Sequence, residues 1–581
     1  MKELMRKISV LLCLAMFLAG CTDRRGVVEI RVVATTDVHG CIFDKDILEA
    51  SERKGSLAKV ATLLKNERKA NRNIIYLDAG DILQGSIEAY QDVTTQFYRP
   101  SLPGAAYKYL DCSAIALGNH DLSVGTLSYE RFFDGLDCPV LGANVFFVRY
   151  GDYLPPYIII EKQGVRIAVL GLLTPMVSKS IPLNRLGELT VGDPVEAARY
   201  FVTRIREVEK ADVLIGLIHS GLEGGRVYDD GVKENIIKEF VKEVPGFDLI
   251  MYGHDHTPYI NVLVSSDGDS VLVINPGAYA NNAAVATLSV DFSEPDSPAV
   301  QVCGSIVDIT GLAPDEGFMK AVSGWYDDVT AYADSVIGRL SVPLECNGAL
   351  WRPTSMLDYI HEIQMGFFAA QISLAAPVSD VTYIPAGDFR IRDAFSLYKF
   401  DNTMVSVMLK GSEVKNVLEY SAERYYEDPD KNPGHLLKLI TADDGTRYPT
   451  SDASGFISAA GINYTIDVTK PAGKRVNITS MSDGTPFDPD KSYRTTINSF
   501  LYTGAESALL KGSGISRSEI LRRFNSSSEA DIRYYMLTDL ALLREDGKGL
   551  APAGTYNWKL IPEKRVEELL AVDTIDFKLI K

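Results

Sequence analysis

The chain has 581 residues and is too long for one hydrophobic core, so two folded domains are expected. Hydrophobic residues make up 46% and charged residues 23%, an ordinary balance for a globular protein. The net charge of −18 excludes a general binder of nucleic-acid polymers, which it would repel. It leaves small phosphorylated substrates open, because a bound dication reverses the local field.

Residues 1–21 read as a leader. Lys2, Arg6 and Lys7 precede an apolar run from Ile8 to Leu18 that is too short to span a bilayer. The run ends in Leu18-Ala19-Gly20-Cys21, which resembles a bacterial lipobox, with Cys21 as the lipidated first residue of the mature chain. An ordinary secretory signal with a chance cysteine is the alternative. Either implies export to the cell envelope, and the lipobox implies a periplasmic or outer-membrane lipoprotein held to the membrane by its lipid. The five later cysteines are odd in number and form no CxxC, so no disulfide framework is expected.

From residue 28 to 310, apolar strand-like runs alternate with amphipathic stretches. Strands are expected at Ile30–Ala34, Ile74–Leu77, Ser113–Leu117, Arg166–Leu172, Val213–Ile218 and Leu249–Tyr252. Helices are expected at Leu57–Lys69, Glu196–Glu209 and Ile236–Val244, and closing antiparallel strands at Val271–Ile274 and Ala284–Val290. This is α/β layering around a buried sheet. Residues 312–340 carry Phe318, Val322, Trp325, Val329 and Ala333 at helical spacing and read as a connecting helix.

A second domain is expected over 341–545. Helices are expected at Ser355–Ala370, Gly411–Ala422, Glu519–Phe524 and Glu529–Leu540, and strands at Gly461–Val468 and Tyr493–Asn498. Residues 546–581 read as a tail packing on that domain, with a strand-like segment at Thr574–Ile580.

Five of the seven histidines follow the expected strands of the first domain. The motifs are Asp37-Val38-His39, Gly80-Asp81, Gly118-Asn119-His120-Asp121, His219 and Gly253-His254-Asp255-His256. Open α/β sheets gather ligands outside the carboxyl ends of their strands. Carboxylate, amide oxygen and imidazole together suit borderline cations such as Zn, Mn or Fe. Cys41 lies two residues from His39 and is read as a bystander. The motif glycines serve tight turns as well as metal loops. His361 and His435 stand outside the series and receive no catalytic role.

In this order the motifs resemble the calcineurin-like metallophosphoesterases over residues 28–300. The resemblance implies an αββα sandwich holding two divalent metal ions. It implies that Asp37, His39, Asp81 and His256 hold one ion, and that Asp81, Asn119, His219 and His254 hold the other, with Asp81 bridging. It also implies that His120, paired with Asp121, acts on the ester without binding metal.

The second domain resembles the C-terminal domain of 5′-nucleotidases. The resemblance lies in Phe395–Asn402, Leu409–Val414 and Leu418-Glu419. Gly461–Asp467 with Lys470-Pro471 is similar to 2′,3′-cyclic-nucleotide phosphodiesterases. The resemblance implies an α+β substrate-binding domain that stacks a nucleobase between two aromatic rings. Phe456 matches the first ring, and Phe500 or Tyr502 the second. The consecutive glycines and the Asn-Gly-Gly-x-x-Arg of the family are absent, which puts the exact substrate in doubt. The implied activity is hydrolysis of nucleotides to nucleoside and phosphate, as a 5′-nucleotidase, a cyclic-nucleotide phosphodiesterase or both. The alternatives are hydrolysis of another small phosphoester, such as a nucleotide sugar, and a catalytically silent surface lipoprotein.

Overall fold

Strands whose side chains alternate between two buried faces build the N-terminal unit. The computed structural model describes residues 26–577, apart from 96–98, 148–153, 182, 229, 295–297, 378–381, 429–433, 442–446, 450–452, 504–507 and 555. The leader and Cys21 lie outside the described residues. The chain divides into two compact units, Met1–Val329 and Thr330–Lys581.

In the first unit the strands of the two large sheets are β1 (Val27–Thr35), β2 (Ile74–Asp78), β3 (Ala114–Ala116), β4 (Val140–Leu141), β5 (Tyr157–Lys162), β6 (Val165–Leu173), β7 (Val213–His219), β8 (Leu249–Tyr252), β9 (Tyr259–Val264), β10 (Ser270–Asn275), β11 (Asn282–Asp291) and β12 (Ala299–Asp308). They form two six-stranded sheets, ordered β12-β11-β1-β2-β3-β4 and β9-β10-β8-β7-β6-β5. In the first sheet β1, β2, β3 and β4 run parallel. In the second β6, β7, β8 and β10 run parallel. Ile30, Val32 and Ala34 of β1 share one buried core with Val213, Ile215 and Leu217 of β7. Leu214 and Ile218, on the other face, join a second cluster with Ala198 and Val202 of helix α1 (Pro194–Arg204) and Phe240 of helix α2 (Ile237–Glu243). Burial of both strand faces explains the near-continuous apolar runs in the sequence.

The second unit is built around a five-stranded mixed sheet and a three-stranded sheet, with smaller strand pairs and covering helices. Thr403–Lys410 pairs antiparallel with both Ser492–Asn498 and Phe524–Asp531. Ile372–Ala375 runs parallel to Ser492–Asn498. Trp558–Ile561 of the tail pairs in parallel with Ile462–Asp467, and Val566 and Leu569 join this unit's core. The observed αββα and α+β layers match the expected fold class.

Four local expectations are corrected. Residues 312–340 form two helices, Glu316–Ala321 and Ser323–Asp334, followed by a strand, Val336–Leu340. Buried Val322 ends the first helix at φ −102°, ψ 5°, and β-branched Val336 and Ile337 continue as a strand beside Gly387–Arg390. Ser270–Asn275 pairs antiparallel with β9, as expected, but runs parallel to its other neighbour β8, because the hairpin partner β9 occupies the sheet edge and returns the chain in that sense. The stretch before the last core helix is a strand, Phe524–Asp531, and the helix begins at Ile532, where Asp531 accepts from the Tyr534 N–H. The Asn525–Ser528 tract has no apolar alternation to reveal that strand. Finally, Thr574–Phe577 ends a helix, Glu563–Phe577, whose buried stripe is Val566, Leu569 and Asp573.

Candidate metal centre

The carboxyl ends of the parallel strands gather the motif residues. Asp37 and His39 follow β1, Asp81 follows β2, Asn119 and His120 follow β3, His219 closes β7, and His254 and His256 follow β8. Five of the seven expected ligands sit in left-handed backbone: Asp37 and His39 at φ 49°, Asp81 at 64°, His254 at 83° and His256 at 55°. Such conformations persist only where the surroundings enforce them. Gly118 and Gly253 show the enforcement. A Cβ at Gly118 would lie 1.9 Å from Asp81 Oδ1, and one at Gly253 would lie 1.9 Å from Thr36 Oγ1.

Among the described residues, two groups of side chains offer ligand atoms within 4.8 Å of one another: Asp37 with His39 and His256, and Asp37 with Asp81 and His219. His39 Nε2 is 3.0 Å from His256 Nε2, which is 3.4 Å from Asp37 Oδ1. His219 Nε2 is 3.2 Å from Asp81 Oδ2 and 3.1 Å from Asn119 Oδ1. The backs of two rings are fixed. His39 Nδ1–H donates to the Gln84 carbonyl at 2.9 Å, and His219 Nδ1–H to the Ala79 carbonyl at 2.8 Å. Their Nε2 lone pairs therefore face inward, the tautomer a metal requires. Asp37 Oδ2 accepts from Thr36 Oγ1 and from the His254 N–H, while the buried Oδ1 has no hydrogen-bond partner. An orphaned carboxylate oxygen between imidazole nitrogens fits a divalent cation.

Electrostatics agree. Burial opposes charge on Asp81, but His219 and His120 overcome it and hold its carboxyl far below the usual range. Burial also opposes charge on His219, yet Asp81 and Asp37 raise its pKa to about 10. Burial pushes the Cys41 thiol up to about 11.

Asp37 is the carboxylate common to both groups, and Asp81 belongs to the second. Two placements differ from expectation. His254 stands beside His219, with ring centroids 5.3 Å apart, but belongs to neither group: its Nε2 lies 3.1 Å from Glu234 Oε1. Asp121 does not touch the His120 ring. Its carboxylate accepts the amides of Asp81, Ile82, Leu83 and Gly118 at 2.8–3.0 Å, a loop-holding role, and His120 Nδ1 instead meets Gln84 Oε1.

Sequence reasoning missed Gln84, Glu234 and Tyr279. Burial raises the Glu234 carboxyl, but His254 and the Arg226 amide outweigh it and hold it at about 2. Tyr279 is 46% exposed at φ 61°, and its ring centroid is 5.6 Å from those of both His39 and His256. Neither Glu234 nor Tyr279 lies in a motif that would have singled it out.

In the second unit, Phe456 is corrected as a stacking platform. It is 1% exposed and packs on Tyr425, Tyr426 and Trp558, so neither face is open to a base. Tyr502 is also core, at 6% exposure, whereas Phe500 is 53% exposed on the short helix Ser499–Thr503.

Comparison with known proteins agrees with both units. Residues 30–258 match the calcineurin-like phosphoesterase family, and residues 336–511 match the 5′-nucleotidase C-terminal domain. A trifunctional nucleotide phosphoesterase of Bacillus subtilis, YfkN, is 25% identical over 82% of this chain, which spans 36% of that longer protein. A 2′,3′-cyclic-nucleotide 2′-phosphodiesterase/3′-nucleotidase of Salmonella typhimurium is 24% identical over 92% of this chain and 89% of its own length. A Staphylococcus aureus protein crystallised with alpha-ketoglutarate shares the fold, with a TM-score of 0.68 and 19% identity over 92% of this chain and all of that one. The chain thus joins a calcineurin-like phosphoesterase domain to a 5′-nucleotidase C-terminal domain, and belongs with the metal-dependent phosphoric ester hydrolases.

Proposed function

We propose that this protein hydrolyses nucleotides to nucleoside and phosphate, as a 5′-nucleotidase, a 2′,3′-cyclic-nucleotide phosphodiesterase or both. The observation that carries the reading is the pair of ligand groups sharing Asp37, with its orphaned Oδ1, beside the His120 ring. Asp37, His39, Asp81 and His256 would hold one divalent ion, and Asp81, Asn119, His219 and His254 the other. With its Nε2 facing Glu234, His254 keeps Nδ1 for that task. Bound there, the ions supply a water acidic enough to attack at neutral pH and a sink for charge on the phosphoryl oxygens. Zn, Mn or Fe suits the donors.

His120 lies at the edge of this cluster, its ring centroid 5.5 Å from that of His39, and is not a ligand in this scheme. As water oxygen bonds to phosphorus, the ester P–O bond breaks and its electron pair stays on the leaving oxygen. That oxygen takes a proton from Nε2 of the doubly protonated His120 ring, and a proton of the attacking water restores that form. In the second domain, the open face of Phe500 is the surface for a base, which any base can use through its π-face. The relatives' names include nucleotide phosphoesterase and nucleotidase activities, which support this substrate class. The leader motif supports export and attachment through lipidated Cys21.

The test is phosphate release by the purified protein with added Mn or Zn, with and without chelator, on AMP, UMP, 3′-AMP, 2′,3′-cyclic AMP, UDP-glucose and bis-p-nitrophenyl phosphate. Diester products are followed directly. Chelator-sensitive turnover of nucleotides is the expected result, and turnover confined to the artificial diester overturns nucleotide specificity. For the anchor, Cys21→Ala is expected to release the protein from the membrane fraction; retention there refutes it.

A further inference from the structure

We propose that Gln84 is the positioning residue for His120, a task that Asp121 cannot perform. This rests on the reading that His120 acts on the leaving oxygen. A carboxylate offers about four acceptor positions. Asp121 spends them on four backbone amides: Oδ1 on Ile82 and Leu83, Oδ2 on Asp81 and Gly118. Nothing is left for the ring beside it in sequence. The His120 Nδ1–H instead donates to Gln84 Oε1. That oxygen has a second contact, Ser123 Oγ at 3.2 Å, and the same Ser123 hydroxyl lies 2.8 Å from the His120 carbonyl oxygen. Gln84 thus holds the ring, and Ser123, at the end of the short helix Asn119–Ser123, steadies the Gln84 side chain against the His120 carbonyl.

The consequence is chemical. An acceptor at Nδ1 fixes the tautomer and the ring plane, and presents Nε2 as the only nitrogen able to exchange a proton with substrate. Gln84 also accepts from His39 Nδ1–H through its backbone carbonyl. One residue therefore orients a candidate metal ligand with its main chain and the candidate proton donor with its side chain. Asp121 acts one step further back: by pinning the amides of residues 81–83, it sets the loop that delivers Gln84.

Side chain and main chain can be separated by experiment, because substitution keeps the carbonyl that holds His39. Gln84→Met removes the acceptor at similar length; Gln84→Glu keeps an acceptor and cannot donate. Both are compared with wild type and His120→Ala in the full chain. The measurements are metal content, KM and kcat on AMP or 2′,3′-cyclic AMP, which leave as poor alkoxides, and kcat on bis-p-nitrophenyl phosphate, whose phenolate needs little protonation. For Gln84→Met, kcat on the nucleotide is expected to fall about 10–100-fold, the usual cost of losing an orienting partner. KM and metal content are expected to stay within about twofold, and the loss on the p-nitrophenyl ester to be no more than about threefold. Gln84→Glu is expected to recover most of the nucleotide rate. Equal losses on both substrates, no recovery with glutamate, or full activity of Gln84→Met would each overturn the proposal. Full activity of His120→Ala would instead remove the role of His120 on which it rests.

Discussion

Alanine at Phe456 and at Phe500 separates core packing from base recognition. Phe456 is 1% exposed, and its ring centroid lies 5.4, 6.0 and 5.9 Å from those of Tyr425, Tyr426 and Trp558. Truncating such a ring costs about 3–5 kcal/mol. That is a large part of a typical domain's stability of about 5–15 kcal/mol. The effect should appear in urea unfolding followed by tryptophan fluorescence, because Trp351 and Trp558 both lie in this unit. Phe500 is 53% exposed, so Phe500→Ala should change stability by no more than about 0.5 kcal/mol. Its loss removes stacking worth about 1–3 kcal/mol. At about 1.4 kcal/mol per tenfold, the KM for AMP should rise roughly 5- to 150-fold. The KM for ribose 5-phosphate, which has no base, should stay within about twofold on the same argument. A Phe456→Ala protein of wild-type stability with a raised KM for AMP would refute the packing argument. An unchanged KM for AMP in Phe500→Ala would refute the stacking surface.

Three further outcomes are expected. His361 is 4% exposed between Ser373 and Ser458, and burial lowers its pKa from 6.5 to about 3. A depressed folded pKa gives stability that is complete above about pH 6.5 and lost as pH falls toward 3; at about 1.4 kcal/mol per unit, pH 5 should cost about 2 kcal/mol. His361→Asn should lack that increment, and equal losses in both proteins between pH 7 and pH 5 would contradict it. Chelation should lower the thermal midpoint of the first unit, with ions at about 100 times Kd restoring about 2.7 kcal/mol per site; a midpoint indifferent to metal would argue against two ligand groups joined at Asp37. Gly118→Ala, whose Cβ would fall 1.9 Å from Asp81 Oδ1 and 2.4 Å from its backbone nitrogen, should lose bound metal together with turnover. Full metal content by elemental analysis would show that the loop can give way.

How far the site was legible follows from where each constraint sits in the chain. Asp37, His39, Asp81, Asn119, His219 and His256 could be named because each sits at or just after a buried parallel strand, and two sheets with strands in that sense converge on one edge. Apolar runs announce the strands, and scarce histidines announce their ends. The residues that aim those ligands could not be read in the same way. Gln84 reaches His120 across 36 positions, and Glu234 reaches His254 across 20. Neither pairing has a periodicity, and each depends on a loop path that only the folded backbone defines. Asp121 differs for the same reason: the resemblance pairs it with His120, but it sits in the first turn of a short helix whose geometry turns its carboxylate back onto the Asp81–Leu83 amides. Phe456 failed differently. A ring in a loop-like stretch reads alike whether it faces a ligand or Trp558, and the deciding partner lies about a hundred residues downstream, on the tail strand Trp558–Ile561 that joins the sheet of Ile462–Asp467. Sequence motifs thus report which residues gather at the candidate metal centre. Which neighbours orient those residues, and which aromatic rings stay open to substrate, are set by long-range packing, and those are the features that decide which phosphoester is turned over.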